Sequence, residues 1–347
     1  APAMSRYSGR ETLTRAIEFR SPAYLPVYLE VYFPWLLEKD EAKEQRIREL
    51  AALMPDDLYQ ADPVRNLTAP TMVDGTFRWT DVWGVDWGYD GRGMKPSSHP
   101  LQSGYHALRT YAFPDPYAPD RFGEIDTALA DRGDKYVLGL VWFTLFERMW
   151  MLRGFENMLT DPYLHPTEFA SFRDRMVEHC LAVIDQWFGR HADGIFMSDD
   201  WGSQRGLLIA PDDWRRLWKP SYARLFDRIK SHGGHVWMHL CGNITTIMPD
   251  LIDIGLDVLN PVQPQAMDVE MLSREFGGKV CFHGGVDVQG TMVRGTPAEV
   301  KAEVHRLVDL FGRFDGGYIG TTSHSIMPET PLDNIIALYE AFAEYGP

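Results

Sequence analysis

The chain has 347 residues, of which 45% are hydrophobic and 13% aromatic, and its formal net charge is -15. This length fits one large α/β barrel or two smaller domains, and the excess of acidic residues excludes nucleic acid and anionic membrane surfaces as expected partners. No apolar run reaches the roughly 20 residues of a membrane span. The three cysteines do not resemble a disulfide framework, which favours a reducing cytoplasm.

The first hundred residues combine regular elements with a long segment of mixed character. They predict a helix at 11–19, a Pro-containing strand at 25–31 and a charged helix at 35–53. Residues 55–100 are rich in Gly, Pro, Asp and aromatic residues, with 77–88 as their most extended part. Long irregular segments inside compact domains are usually elaborated loops, so we expect this one to cover one mouth of the fold. Trp83 lies in its aromatic part, which suits an apolar or aromatic substrate.

From residue 125 onward, short Val/Ile/Leu strands alternate with helices, a rhythm typical of parallel strands joined by right-handed crossovers. The predicted strands are 136–141, 194–198, 235–240, 258–262, 280–283 and 317–321. The predicted helices are 125–131, 145–160, 166–188, 212–231, 245–254, 269–276, 297–311 and 332–345.

With the strand at 25–31 and another near Trp79, the number of strands is eight. This number predicts an α/β fold, a (β/α)8 TIM-type barrel with an N-terminal helical extension and the irregular segment over its mouth. No Gly-x-Gly-x-x-Gly turn follows the first strand, which disfavours a dinucleotide site. We expect residues 1–347 to form a single domain, in which 1–3 precede Met4 as a cloning remnant.

The stretch 235–243 is a strand that ends in His239-x-Cys241 and breaks at Gly242. Side chains two residues apart in a strand project to the same side, so His239 and Cys241 can share one metal ion, most plausibly zinc. The alternative is a small buried Cys beside a hydrogen-bonded core His. A third ligand would come from another strand end, where His324 and His283 are the candidate imidazoles. Cys281 lies in mid-strand and is better explained as a small buried hydrophobe.

Further polar residues follow the predicted strands, and chemistry in such barrels is placed at the carboxyl ends of the strands. The candidates for acid and base catalysis are Asp199, Asp200, Glu147 and Asp81. The candidates for substrate binding are Glu30, Trp83, Asn260, Gln263 and His283. The alternative for the adjacent aspartates is that one caps the following turn while the other pairs with Arg205.

The end of the chain carries a resemblance to a known family. Residues 318–331, Tyr-Ile-Gly-Thr-Thr-Ser-His-Ser-Ile-Met-Pro-Glu-Thr-Pro, resemble the Gly-His-Gly-Ile/Val-x-Pro-x-Thr-Pro closing signature of the uroporphyrinogen decarboxylase superfamily. The opening helix, followed by Arg20-Ser21-Pro22 and a Pro-containing strand, is similar to the start of that superfamily. The resemblance implies a (β/α)8 barrel with its active site at the carboxyl ends of the strands.

Two branches of that superfamily differ at residues that this sequence contains. True decarboxylases carry an arginine-rich segment after the first strand, whereas residues 29–35 here are acidic and aromatic, which disfavours a polycarboxylate substrate. The zinc methyltransferases that serve corrinoid proteins and thiol acceptors use His-x-Cys and a later Cys as zinc ligands. His239 and Cys241 match the first two positions, and the later Cys position falls on His324. The resemblance thus implies a Zn²⁺ site on these three residues.

The leading hypothesis is a zinc-dependent methyltransferase or demethylase that moves a methyl group between a small, aromatic or methoxylated substrate and a corrinoid, thiol or folate carrier. Cobalamin or tetrahydrofolate would be the carrier cofactor. The chain has no Asp-x-His-x-x-Gly corrinoid-binding motif, so a corrinoid would come from solution or from a separate protein. We expect a monomer or homodimer. The alternatives are a metal-free decarboxylase or lyase that uses His324 and Asp81, and a tetrapyrrole- or corrinoid-binding protein without turnover.

Overall fold

The structure, a computed structural model, describes residues 8–30, 40–63, 71–89 and 94–347. The strands in these ranges are β1 (Leu58–Ala61), β2 (Thr71–Val73), β3 (Thr76–Thr80), β4 (Asp86–Tyr89), β5 (Met94–Pro96), β6 (Tyr136–Val141), β7 (Gly194–Ser198), β8 (His235–His239), β9 (Val258–Asn260), β10 (Cys281–Val286) and β11 (Tyr318–Thr322). They form two sheets, one of seven strands in the order β1-β6-β7-β8-β9-β10-β11 and one of four in the order β2-β3-β4-β5.

The α-helices follow the predicted rhythm. In the described part of the chain they are Gly9–Ile17, Glu41–Ala51, Gly123–Ala130, Phe146–Arg153, Phe155–Leu164, Pro166–Phe188, Pro211–Leu217, Lys219–Ser231, Met248–Asp253, Val269–Phe276, Thr291–Arg294, Pro297–Phe311 and Leu332–Ala343. The helix predicted at 145–160 is divided in two at Gly154, whose φ of 96° is left-handed and incompatible with a continuous helix. The part of the predicted helix 35–53 that precedes residue 40 lies outside the described residues.

The seven-stranded sheet is parallel throughout and curls towards closure. At its far edge, Val27 pairs with Gly320 of β11. The same N-terminal segment reaches the other edge, because Gln60 Nε2 of β1 donates to Glu30 Oε1 at 3.2 Å. The strand predicted at 25–31 is therefore wrong in extent: it is a single bridge in the described residues, since Pro26 has no N–H to donate to a ladder.

The segment 55–100 differs from the prediction in two respects. The barrel strand between the N-terminal segment and β6 is β1, whereas the strand predicted near Trp79 belongs to the antiparallel sheet β2 to β5. That sheet is regular, so the prediction of an irregular segment is wrong for 71–76 and 94–96, whereas the part predicted as extended, 77–88, contains most of β3 and β4. Its first hairpin turns at Asp74-Gly75, both with positive φ, which is the geometry of a two-residue turn. The predicted position over the barrel mouth is confirmed, because Trp79 and Trp87 line the cavity described below.

The barrel interior is filled by large side chains. Tyr136, Trp237 and Ile319 are buried there together with Cys281, which behaves as the small hydrophobe that was predicted. Leu13 of the first helix belongs to the same cluster, so the N-terminal extension closes the end of the barrel opposite the strands' carboxyl ends. Burying each such apolar side chain contributes about 1.5–3 kcal/mol. In the described part of the chain, no helix combines the length and the apolar character needed to cross a bilayer.

Candidate active site

The carboxyl ends of the barrel strands open into a cavity of about 240 Å³. Predicted site residues that line it are Glu30, Asp81, Trp83, Glu147, Asp200, His239, Asn260, His283 and His324. Asp199, Cys241 and Gln263 are not part of its lining as far as the described residues show. The barrel thus brings together side chains that are far apart in sequence, as the interpretation of the strand ends required.

Two of the lining residues and the nearby Cys241 form a cluster of possible metal ligands. His239, Cys241 and His324 each offer one ligand atom, and the three atoms lie within 4.8 Å of one another. Cys241 Sγ is 3.2 Å from His239 Nε2. A tetrahedral zinc ion with ordinary bond lengths would separate its ligand atoms by about 3.3–3.6 Å. The donor set therefore fits zinc after a closing movement of roughly 1 Å by the widest pair.

Cys241 is positioned by a close contact between two loops. Gly242 has a φ of 78°, and a Cβ atom built on Gly202 would lie 2.4 Å from the Cys241 carbonyl oxygen. Gln263 Oε1 accepts a hydrogen bond from Gly242 N at 2.5 Å, and Asp200 Oδ1 accepts one from Cys241 N at 2.9 Å. Gln263, predicted as a substrate ligand, thus holds the loop that presents the thiol.

His239 belongs to a chain of hydrogen bonds across three strands. Its Nδ1 donates to Asn260 Oδ1 at 2.6 Å, and Asn260 Nδ2 donates to the His283 carbonyl oxygen at 2.9 Å and approaches His283 Nδ1 at 3.1 Å. His283 Nε2 lies 3.3 Å from the Tyr28 carbonyl oxygen. Burial lowers the pKa of His283 to about 4, so His283 is neutral at pH 7. Both Asn260 and His283 thus use their polar atoms to orient His239.

His324 reaches the cluster from the loop after β11. Thr322 Oγ1 donates to the His324 carbonyl oxygen at 2.6 Å, and Ile326 N donates to the Glu30 carbonyl oxygen at 3.2 Å. The His324 ring lies 5.7 Å from the His239 ring, centroid to centroid. The side chain is open to the cavity, yet enough protein surrounds it that burial lowers its pKa, with a further contribution from His239. A neutral imidazole is the form that binds a metal.

Glu147 and the Cys241 thiol both lie in surroundings that disfavour a negative charge. Glu147 is buried, and Ser198 Oγ donates to its Oε2 at 2.5 Å. Burial, followed by the charges of Asp200 and Asp199, raises the pKa of Glu147 well above its usual value, which favours its protonated form. Burial and the Asp200 charge also raise the pKa of the Cys241 thiol. A cation bound at the cluster would supply the charge that a thiolate needs there.

The Asp199 carboxylate accepts hydrogen bonds at the start of a helix. Its carboxylate accepts hydrogen bonds from Leu145 N at 2.9 Å and Glu147 N at 2.7 Å, where the helix Phe146–Arg153 begins. Tyr222 donates to it as well, at 2.7 Å. Burial raises the pKa of Asp199 to about 7. Asp199 therefore caps the helix that carries Glu147. The predicted alternative was different, since it had one of the two aspartates cap the turn that follows them.

The opposite wall of the cavity is aromatic and carries a cation that sequence reasoning did not assign to the site. Arg148 Nη1 donates to Asp81 Oδ2 at 3.0 Å; the Arg148 side chain is buried and that of Asp81 is partly buried. Trp142 lies 5.1 Å from the His239 ring, and Phe143 is 5.8 Å from the Trp87 ring and nearly parallel to it. The sequence did contain a signal for Trp142 and Phe143, namely their position directly after β6, because site residues lie at the carboxyl ends of barrel strands.

Residues 142–345 match the family model described as uroporphyrinogen decarboxylase (URO-D). The chain belongs to this family. The uroporphyrinogen decarboxylase of Chlorobium luteolum is 26% identical over 185 residues, which is 50% of this chain and 50% of that protein. The methylcobamide:CoM methyltransferase MtaA of Methanosarcina barkeri is 28% identical over 177 residues, 51% of this chain and 49% of that protein. The chain spans about half the length of the curated relatives it matches.

The fold of this URO-D family protein is shared with a solved structure. A methyltransferase from Methanosarcina mazei superposes with a TM-score of 0.71, 18% sequence identity and coverage of 98% of this chain and 99% of that one. At this identity the comparison concerns the fold alone. The predicted superfamily and the predicted α/β barrel class are confirmed, and the closing stretch that carried the prediction lies inside the matched residues.

Proposed function

We propose that this URO-D family protein is a zinc-dependent methyltransferase or demethylase, with the metal held by His239, Cys241 and His324. The observation that carries the proposal is the convergence of these three ligand atoms within 4.8 Å beside a cavity. Nitrogen and sulfur donors suit zinc, and three protein ligands leave a fourth position for substrate. One curated relative is named as a methyltransferase, which agrees with the proposal.

The chemistry that zinc would supply is that of a Lewis acid, which lowers the pKa of a bound thiol or hydroxyl or polarises an ether oxygen. The residues around the ligands prepare the rest of the site. Trp142 packs 5.1 Å from the His239 ring and shields it from water. Trp83, Trp87 and Phe143 form an apolar surface in the cavity, which suits an aromatic or methoxylated substrate.

Glu147 is the residue we assign to proton transfer. Burial raises its pKa and so favours the protonated form that can donate, and Ser198 orients its carboxyl group. When a methyl–oxygen bond of the substrate breaks, the oxygen keeps the electron pair and takes the proton of Glu147, while the methyl group passes to the carrier. Asp200, bonded to the Cys241 amide, would keep the loop that presents the thiol in place.

The carrier is proposed to be external to the described fold. A corrinoid, a thiol or a folate would accept the methyl group, and a separate corrinoid protein would be the partner in the first case. The relative MtaA is named for methyl transfer from methylcobamide to CoM. For the present chain, we propose the chemical class of the acceptor.

A second candidate, a metal-free decarboxylase of the URO-D type, is favoured by the 26% identity with a uroporphyrinogen decarboxylase. In that case His324 and Asp81 would manage protons, and Cys241 would be dispensable. Asp81 already accepts bonds from Trp87 and Arg148, which leaves it little capacity to bind a substrate. Activity that survives Cys241→Ser and is lost in Asp81→Asn would favour this candidate.

Metal analysis of the purified full chain tests the proposal. We expect stoichiometric zinc in the wild type and its loss in Cys241→Ala and in His324→Ala. Cys281→Ala is the matched control, since this buried cysteine lies in the barrel interior, outside the cluster, and should keep its zinc. A wild type that is metal-free and turns over substrate would overturn the proposal.

A further inference from the structure

The cavity contains a buried cation with a hydrogen-bond donor that lacks a partner among the described residues. Arg148 is 5% exposed and lines the cavity. Its Nη1 donates to Asp81, whereas its Nε is buried without a partner. A guanidinium has five N–H donors, and a buried donor without an acceptor is costly. Among the lining residues that the structure describes, Arg148 is the one Lys or Arg.

Asp81 does not complete the environment of Arg148. The Asp81 carboxylate also accepts from Trp83 N at 2.9 Å, Val85 N at 3.0 Å and Trp87 Nε1 at 2.9 Å. These three donors stabilise its negative charge independently of Arg148. Asp81 therefore anchors one edge of the guanidinium, and in the described part of the chain the buried Nε has no acceptor.

Aromatic rings hold the guanidinium in place. The Arg148 Cζ atom lies 5.0 Å from the Trp83 ring centroid and 5.3 Å from that of Phe143, distances at which a cation is attracted to a ring. Phe143 has a φ of 53°, in a region that bulky residues rarely adopt. Such strain concentrates where a side chain must be held for function. The anchored guanidinium thus has a fixed plane.

Arg148 and the proposed metal ligands are separated by two rings. The Trp142 ring is 5.1 Å from that of His239 and 6.3 Å from that of Phe143, and Phe143 is in turn the ring beside Arg148. A molecule that spans the cavity would therefore have its polar ends at the ligands and at Arg148, and an apolar body along the rings. Burial raises the pKa of Glu147, the neighbour of Arg148 in sequence, and so disfavours its negative charge. Glu30, Asp62 and Asp200 also line the cavity, so an anionic end of the molecule would be placed at Arg148, away from those carboxylates.

We propose that Arg148 is the anchor for a carboxylate group of the substrate, so that the cavity takes a small aromatic monocarboxylate. A planar fork of N–H donors matches a carboxylate better than any other anion of the cell except phosphate, and binds it through two bonds. The inference rests on the proposed function in one respect, because the proposed function places the substrate in this cavity. An aromatic lining also suits an onium cation, which is therefore one arm of the test.

Calorimetric titration of the full chain with three probes of similar size tests the inference. The probes are 4-methoxybenzoate, its neutral analogue 4-methoxybenzamide and the cationic 4-methoxyphenyltrimethylammonium. We expect the benzoate to bind about tenfold or more tightly than either, before and after metal removal by a chelator. Equal affinity for benzoate and benzamide, or tighter binding of the onium probe, would overturn the inference.

Two variants locate the preference. Arg148→Lys keeps the charge and loses the fork, so the preference for benzoate should shrink, and Arg148→Met should abolish it. The matched control is Arg153→Met, because Arg153 is also buried, pairs with Asp161 at 2.9 Å and lies 5.0 Å from the Tyr105 ring outside the cavity. Loss of the preference in the control as well would contradict a local role for Arg148.

The titrations of the wild type test the inference even if a variant does not fold, and they test it separately from zinc binding. If Arg148→Met does not fold, the three probes on the wild type still decide, because they need no substitution. A wild type that is isolated without zinc, turns over substrate and keeps the preference for benzoate would overturn the proposed metal chemistry and leave this inference standing. A zinc protein without that preference would do the opposite.

Discussion

His239 and Asn260 face each other across the neighbouring strands β8 and β9, with 2.6 Å between Nδ1 and Oδ1. The orientation of the amide is determined by its other end: Nδ2 lies 2.9 Å from the His283 carbonyl oxygen, which can only accept. Oδ1 must then accept from His239 Nδ1, which carries the proton. The lone pair of His239 Nε2 is left facing Cys241 Sγ, 3.2 Å away. Asn260 thus selects the tautomer that can bind a metal.

Substituting Asn260 should weaken metal binding more than it weakens the fold. We expect Asn260→Ala to lower zinc affinity about 10- to 100-fold, the usual cost of losing a partner that orients a ligand. Competition with a chromophoric chelator measures it. Asn334→Ala is the matched control, since Asn334 is equally buried and donates to the Met292 and Gly295 carbonyl oxygens away from the site. Unchanged zinc affinity in Asn260→Ala would refute the assigned role.

The contact between the loops that contain Gly202 and Cys241 leaves no space for a side chain. A Cβ atom on Gly202 would lie 2.4 Å from the Cys241 carbonyl oxygen, so Gly202→Ala must separate the loops and displace the thiol. We expect zinc content to fall together with the melting temperature. Gly123→Ala, whose added Cβ meets nothing within 4 Å, should leave both unchanged. A Gly202→Ala protein that retains full zinc would show that this contact does not position Cys241.

Replacing Glu147 by Gln separates its chemical role from its structural one. Because burial raises the pKa of Glu147 and favours its neutral form, a neutral amide of the same size should fold with little change in thermal stability. Methyl transfer should fall about 10²- to 10⁴-fold if Glu147 supplies the proton. The control is Glu303→Gln, since Glu303 is also largely buried, with a raised pKa, but lies outside the cavity. Full turnover by Glu147→Gln would exclude the proton-transfer role.

His179 should make the protein sensitive to acid. Burial, followed by the charges of Arg121 and Arg148, lowers the pKa of His179 to about 3, whereas an unfolded histidine titrates near about 6.5. Between these values the unfolded chain binds a proton that the folded chain does not, so the free energy of unfolding decreases as the pH falls from about 6.5 towards 3. The contribution is complete above about pH 6.5.

His179→Phe removes this titration and also the buried Nε2 that lacks a hydrogen-bond partner. The ring should still pack against Trp83, whose centroid lies 4.8 Å from that of His179. In urea denaturation between pH 4 and 6, the free energy of unfolding of His179→Phe should depend less on pH than that of the wild type. One titrating site contributes a slope of about 1.4 kcal/mol per pH unit. His106→Phe, at an exposed histidine, should not change the slope. Equal slopes for all three proteins would contradict the buried neutral state of His179.

Much of the barrel was predictable because the pattern that specifies it is local. β6 and β7 and the helices Pro166–Phe188 and Pro297–Phe311 have the predicted bounds, since short apolar strands and capped helices are decided by neighbouring residues. β1 was missed because Leu58–Ala61 has neither the length nor the apolar run that marks a buried strand. Its place in the barrel depends on pairing with β6, a contact between residues far apart in sequence.

The sequence by itself determined that the chain is a barrel of the URO-D family and that His239, Cys241 and His324 lie at the ends of strands. Only the tertiary structure decided what each polar residue faces. Asp199 and Asp200 are adjacent in sequence, yet one caps a buried helix while the other holds the Cys241 amide. Arg148 joined the site because its guanidinium meets Asp81, 67 residues away. Hydrogen bonds and burial are set by neighbours in space, and no local pattern contains them.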